Sequence, residues 1–191
     1  ATEGVVSIDG IDVTQIDERA LRTRVSVVPQ KALLFSGTIL ENLRFGRNDA
    51  SMEDIEIAVR IACADSFITQ TRDWYHTALG QGGVNLSGGQ KQRLSLARAL
   101  VRSPKILILD DCTSALDAET ESAVLSGLRS ELLNVTVLLI SQRISTVRQA
   151  DRILCLENGE LKGYGSHQEL MQSCPTYQAI FQSQIGGNYH G

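Results

Sequence analysis

The chain contains no run approaching the roughly 20 consecutive apolar residues that a helix needs to cross a bilayer, and no signal-peptide pattern opens it. Any membrane role must therefore come through a partner or through a segment outside this sequence. The chain also lacks an excess of one sign of charge: 18 Lys and Arg stand against 22 Asp and Glu, a net charge of −4. Its only basic cluster, Lys91 with Arg93, Arg98 and Arg102, falls at helical spacings within one segment, and Lys91 and Arg93 read as a solvated face or an interface. With no overall basic footprint, nucleic acid is not an expected partner. Cysteine is sparse: Cys63, Cys112, Cys155 and Cys174 stand far apart, with no C-x-x-C pair and no nearby pair of His, so they read as reduced thiols rather than metal ligands or disulfides. Reduced thiols favour the cytosol. No internal repeat, low-complexity tract or linker interrupts the 191 residues, which read as one globular domain able to bury a sizeable core.

What is present is an ordered alternation. Val5–Ile8 and Ile11–Val13 around Asp9-Gly10 read as a hairpin, Asp17–Arg22 as a short helix, and Val25–Val28 as a buried strand stopped by Pro29. A helical lobe follows: one or two turns over Thr38–Leu43, a helix from a Ser51 cap to Cys63, and a continuation over Asp65–Thr69. Tyr75–Asn85, with Gly80, Gly82 and Gly83, reads as a loop. The pattern then becomes helix 87–101, strand 106–110, helix 117–131, strand 135–140, short helix 145–149 and strand 152–157, which predicts a parallel α/β sheet of buried strands. Asn158-Gly159 predicts a turn into Leu161–Gly163, followed by helices from Ser166 to Met171 and from Thr176 to Gln184, with a frayed tail over Gly186–Gly191.

Two constellations carry chemistry. Leu86-Ser87-Gly88-Gly89-Gln90 opens a helix whose free N–H groups and positive dipole end suit an anion. Small residues there let a ligand approach the backbone, although two glycines also simply permit a tight helix entrance. Asp110 and Asp111 end an apolar strand, a place where α/β sheets hold Mg²⁺ and orient water. The alternative is that Asp111 caps the following turn. His167 reads as a helix-start residue, His76 and His190 as solvated, and Trp74 and Tyr75 as either core or a docking surface.

These residues carry a family resemblance. LSGGQKQRLSLARAL at 86–100 resembles the signature motif of ATP-binding cassette (ABC) ATPases, and ILILDDCTSALD at 106–117 resembles their Walker B motif and D-loop. Val27-Val28-Pro29-Gln30 is similar to their Q-loop, and LFSGTILENL at 34–43 to the continuation found in exporter-type cassettes fused to membrane domains. The resemblance implies an α/β, P-loop NTPase-like cassette: a parallel sheet flanked by helices, with a Q-loop and helical signature lobe over 29–100, a Walker B, D-loop and switch region over 101–165, and C-terminal helices and tail over 166–191. It implies ATP and Mg²⁺ as ligands, a second cassette as partner, membrane domains reached through coupling helices, and a place at the cytoplasmic face of the membrane. Two such cassettes close head to tail around two ATP molecules. By the resemblance, Ser87, Gly88, Gly89 and Gln90 would bind the γ-phosphate held by the partner, while Gln30, Asp110 and Asp111 would serve this chain's own Mg²⁺ and attacking water, with Gln142 at the switch position.

The departures from the pattern are informative. Asp111 stands where the family usually has a catalytic Glu one methylene longer, so slow hydrolysis is expected. Gln142 stands where the switch His normally follows the strand 135–140, and a neutral amide cannot carry the proton or charge of an imidazole. Gln81, in the loop before the signature, replaces a Glu that touches membrane-domain loops in many exporters. The whole resembles the degenerate half of a heterodimeric exporter with an intact signature. G-x-x-x-x-G-K-[ST] is absent, and by resemblance it precedes Thr2-Glu3-Gly4; the expectation is a piece lacking the Walker A part and its central strand, with unpaired strand edges that favour aggregation and with weak Mg-ATP binding of its own. Alternatives are a soluble ABC ATPase without membrane spans and a non-hydrolytic remnant lending Ser87 and Gly89 to a partner.

Overall fold

Four of the described helices begin on a reciprocal cap written three residues apart in the sequence, so their starting points are local decisions. The pairs are Thr38 with Glu41, Ser51 with Asp54, Ser87 with Gln90 and Ser166 with Glu169, each satisfying two N–H groups that no helical carbonyl can reach. A computed structural model describes residues 2–185. In chain order, β1 (Ser7–Ile8) and β2 (Ile11–Asp12) form a hairpin, and Asp17 caps α1 (Glu18–Arg24), which leads into β3 (Val25–Val28). After β4 (Gly37–Thr38) come α2 (Ile39–Arg44), α3 (Met52–Ile61) and α4 (Asp65–Ile68), then β5 (Ala78–Leu79). Next are α5 (Gly88–Val101), β6 (Ile106–Asp110), α6 (Ala118–Glu131) and β7 (Thr136–Ile140). The chain ends with α7 (Ile144–Val147), β8 (Ile153–Glu157), β9 (Glu160–Gly165), α8 (His167–Ser173) and α9 (Pro175–Ile185). The expected tail over 186–191, with His190, lies outside the described residues.

Where composition suggests a single domain, the contacts divide the chain into two compact units, Ala1–Leu138 and Leu139–Gly191. In the first, α5 is the central spine. Leu94, Ala97 and Val101 recur on one helical face and are all but fully buried, and the helix packs on β3, α2 and α3. Val28 of β3 and Leu107 and Leu109 of β6 complete this core with Ile39, Leu43, Ile55 and Val59, each worth about 1.5–3 kcal/mol of transfer free energy when removed from water. Strand order is β3-β6-β7, and β3 runs parallel to β6 with Val25 opposite Ile106 and Val28 opposite Leu109.

Three expectations are corrected. Strand 152–157 is not among the strands of the parallel sheet: β8 pairs antiparallel with β9 in a separate two-stranded sheet, through the expected Asn158-Gly159 turn, both of whose residues take positive φ. The strands are not uniformly buried, since β7 leaves Val137, Leu138 and Ile140 39–47 % exposed and β3 leaves Val27 55 % exposed. Tyr75–Asn85 is not wholly loop. It holds β5, paired with β4, between 3₁₀ turns at Trp74–His76 and Gln81–Gly83, a long-range pairing that local glycine content hides.

In the second unit the hairpin β8–β9 is covered by α8 and α9 around Ile144, Ile153, Cys155, Leu170, Cys174 and Tyr177. Gly163 of β9 is required by close approach: a Cβ there would sit 2.8 Å from both Cys174 Sγ and Leu170 Cδ2. All four cysteines are free thiols, and burial pushes Cys112 up to about 12, reinforced by the carboxylates of Asp111, Asp110 and Glu121.

Candidate functional site

The in-register pairing of β3 with β6 places the residues that follow each strand side by side at the carboxyl edge of the sheet. Gln30, two residues beyond β3, therefore meets Asp111, one residue beyond β6: Gln30 Nε2 donates to Asp111 Oδ2 at 3.1 Å. Asp110 is the last residue of β6 and is exposed, and Asp111 follows with φ of +45°, a left-handed conformation that Asp tolerates better than most residues. Three of the expected site residues are thus gathered at one edge. Beyond them Ser114 Oγ donates to the Asp111 carbonyl at 2.9 Å, and Thr113 Oγ1 donates to the buried Glu121 carboxylate at 2.6 Å, which anchors the loop 112–117 that follows.

The start of α5 forms a second centre. Ser87 Oγ accepts from Gln90 N at 3.3 Å and Gln90 Oε1 accepts from Ser87 N at 2.9 Å. Ser87, Gly88 and Gly89 line a cleft of about 330 Å³ closed by Arg93, Ala115, Leu116, Asp117 and Thr120. Gln90 does not line it, because its side chain is folded back into the cap. Gly89 is needed for closeness: a Cβ on it would lie 3.0 Å from the Ala115 carbonyl oxygen and 3.3 Å from Leu116 Cδ2. Asp117 caps α6, accepting from Thr120 N at 2.9 Å and from Thr120 Oγ1 at 2.8 Å, and these bonds hold its carboxyl below the ordinary range.

Arg93, expected with Lys91 on a solvated face or an interface, is half-buried and bonded within the chain, as are Arg98 and Arg102. Arg93 donates to the Cys63 carbonyl at 2.6 Å and lies 5.1 Å from the Phe67 ring centre; Arg98 donates to the Leu33 carbonyl at 2.7 Å and lies 5.4 Å from that of Phe35. Arg102 donates to the carbonyls of Gly46 and Arg22. These guanidinium groups tie α5 to segments 30 to 80 residues away, so periodicity alone could not assign them. Gln92 was also missed. It is buried on the side of α5 shared with Ser95, Leu96 and Ala99, opposite Leu94, Ala97 and Val101, and its carboxamide contacts the loops after both β3 and β6. A glutamine in helical register with the apolar Leu96 and Ala99 was the available signal.

Gln142 belongs to the second unit, where it is exposed just after β7. Its backbone is held by α9: Gln184 Nε2 donates to the Gln142 carbonyl at 2.6 Å, and Ile144 N donates to Gln184 Oε1 at 2.8 Å. His167 sits in the first turn of α8 with Nδ1 2.9 Å from the Tyr177 hydroxyl, which agrees with a helix-start role. Trp74 is 56 % exposed and so is not core; His76, two residues on, lines a groove with Leu40, Arg44 and Phe45.

Among the described residues no group of three His, Cys, Asp or Glu is gathered tightly enough to cage a metal. Two carboxylates and one amide suit Mg²⁺ nonetheless, because that ion keeps several waters and is normally shared between one or two carboxylates and substrate phosphates. With Gln30 Nε2 on Asp111, the amide oxygen remains as the atom for a cation.

Known proteins agree with this architecture. The ABC transporter family matches residues 1–114. An ABC transporter ATP-binding protein of Bacillus subtilis, YfiB, is 47 % identical over 183 residues, covering 96 % of this chain and 32 % of the relative. The ATP-dependent lipid A-core flippase of Legionella pneumophila is 40 % identical over 186 residues, covering 97 % of this chain and 32 % of the flippase. A bacterial Atm1-family ABC exporter solved with ATP bound superposes with a TM-score of 0.92 at 38 % identity, over 96 % of this chain and 32 % of that one. The chain thus spans about a third of the length of these relatives. With an α/β fold that matches the exporter cassette and a family match over more than half its length, this chain belongs to the ABC transporter family.

Proposed function

We propose that this chain is the nucleotide-binding cassette of an ABC exporter, with a weakened ATP site of its own and an intact signature presented to a second, non-identical cassette. The observation that carries the reading is the Gln30–Asp111 contact at 3.1 Å at the sheet edge, separate from the cleft lined by Ser87, Gly88 and Gly89. Asp110 and the Gln30 amide oxygen would hold Mg²⁺, which when bound neutralises phosphate charge. Asp111 would orient the attacking water, but its carboxylate is a methylene short of the usual Glu and already accepts from Gln30, so its reach is limited. Gln142 donates a hydrogen bond to phosphate without carrying a proton. Ser87 and the N–H groups of Gly88 and Gly89 would stabilise the γ-phosphate of ATP bound by the partner, since phosphoryl transfer is mainly positioning and charge stabilisation.

The cassette would work at the cytoplasmic face of a membrane, coupling ATP binding and hydrolysis to efflux. The groove lined by Leu40, Arg44, Phe45 and His76, beside the exposed Trp74, would receive a coupling helix of the membrane domains. The test is the full-length protein with its partner. Asp111→Glu together with Gln142→His should raise ATP turnover by about 100-fold, the low end of what a positioned general base contributes. Unchanged turnover in the double variant would overturn the weakened-site reading, and a full-length protein without membrane spans would overturn the exporter reading.

A further inference from the structure

The two centres described above are joined through one side chain. Gln92 lies on α5, five residues after Ser87, and is only 6 % exposed. Its Nε2 donates to the Gln30 carbonyl and to Ser114 Oγ, each at 3.4 Å, and its Oε1 accepts from Ala115 N at 3.0 Å. Ser114 Oγ in turn donates to the Asp111 carbonyl at 2.9 Å, and Gln30 Nε2 donates to the Asp111 carboxylate at 3.1 Å. These bonds close a ring through Gln30, Gln92, Ser114 and Asp111. Ala115, held by the same carboxamide, walls the cleft lined by Ser87, Gly88 and Gly89 and also a second cleft lined by Gln30 and Gln92.

We propose that Gln92 is a positioning residue that couples this chain's own site to the signature cleft, so that an anion seated in front of Ser87 and Gly89 biases the placement of Gln30 and Asp111. The inference rests on the cassette reading above and deepens it. The physical reason is that the Gln92 carboxamide reaches both loops from α5 and is itself almost fully buried, so losing either bond leaves a buried polar group unpaired. Gly89 brings the α5 N-terminus so close to Ala115 that an anion drawing on the first N–H groups of the helix cannot shift that turn without moving the Ala115 backbone. Movement of Ala115 pulls the Gln92 amide, and the amide carries the Gln30 carbonyl with it. Arg98, which fixes the Leu33 carbonyl from the same helix, keeps the rest of the loop after β3 from absorbing the shift.

The test uses the full-length protein with its partner and two substitutions, Gln92→Met, which removes donor and acceptor at similar volume, and Gln92→Glu, which keeps the acceptor for Ala115 N. Amide hydrogen exchange is read over 31–36 and 112–117, with and without ATP. In the wild type ATP should slow exchange in both segments together. Gln92→Met should speed exchange in both and abolish their joint response, whereas Gln92→Glu should loosen 31–36 while Ala115 stays protected. Turnover should fall about ten-fold in kcat with KM for ATP changed less than about two-fold, the signature of lost positioning rather than lost binding. A Gln92→Met protein that folds and keeps wild-type exchange over 31–36 and wild-type kcat overturns the proposal. A wild type without turnover would count against the hydrolytic reading alone, because the exchange response to ATP decides the coupling by itself.

Discussion

Replacing Gly89 by Ala separates stability from function at the signature cleft. The added methyl would lie 3.0 Å from the Ala115 carbonyl oxygen and 3.3 Å from Leu116 Cδ2, tighter than ordinary contact by a few tenths of an ångström. Two effects oppose each other. Ala is favoured over Gly within a helix by up to about 1 kcal/mol, less in a first turn where Gly89 sits. Overpacking against backbone costs about 1–3 kcal/mol, and the low end applies because the required shift is small. The net destabilisation is therefore about 0–2 kcal/mol, a modest displacement of the urea midpoint. Function should respond as well. The loop carrying Ala115 and Leu116 must move away from the helix start, which reshapes a cleft of only about 330 Å³; since a misplacement of about 1 Å can cost about 100-fold in rate, a shift of a few tenths should cost several-fold. The assay is urea unfolding beside steady-state ATP turnover of the full-length assembly. If Gly89→Ala gains the full propensity term and turns over ATP at the wild-type rate, the close approach constrains nothing and the account of the cleft is wrong.

Two further outcomes follow from the geometry. Gln184→Ala should release the backbone around Gln142, speeding amide exchange at Ile144 by about ten-fold, the ordinary worth of one such bond, while the unfolding midpoint changes little; unchanged exchange at Ile144 would show that α9 does not hold this turn. Acid should destabilise the fold through its helix caps. Hydrogen bonds from Thr14, Ser51, Thr120 and Ser166 depress the carboxyls of Asp12, Asp54, Asp117 and Glu169, so their stabilisation is complete above the ordinary carboxylate range and is lost as pH falls through the lowered values. Urea midpoints measured from pH 7 to pH 3 should fall in the acid range, and replacing Asp117 and Glu169 by Asn and Gln should flatten that fall.

How much of this was readable in advance depends on how far each interaction reaches along the chain. Ser51 and Ser166 were readable as caps and Ser87 as a helix start, because the reciprocal bonds that fix the starts of α3, α5 and α8 span only three residues. The apolar runs of β3 and β6, with Gln30 and the Asp110-Asp111 pair just beyond their ends, were equally visible, and the motif resemblance named their chemistry. Sequence alone therefore determined the cassette family, the helix starts and the candidate residues that the fold gathers at the sheet edge. Only tertiary structure decided that the β8–β9 hairpin forms a sheet of its own, that Arg93, Arg98 and Arg102 staple α5 to distant carbonyls, and that Gln92 bridges both centres. Those outcomes depend on which surfaces meet after the chain has folded, and a backbone carbonyl 30 to 80 residues away leaves no periodic trace in the sequence that will bond to it.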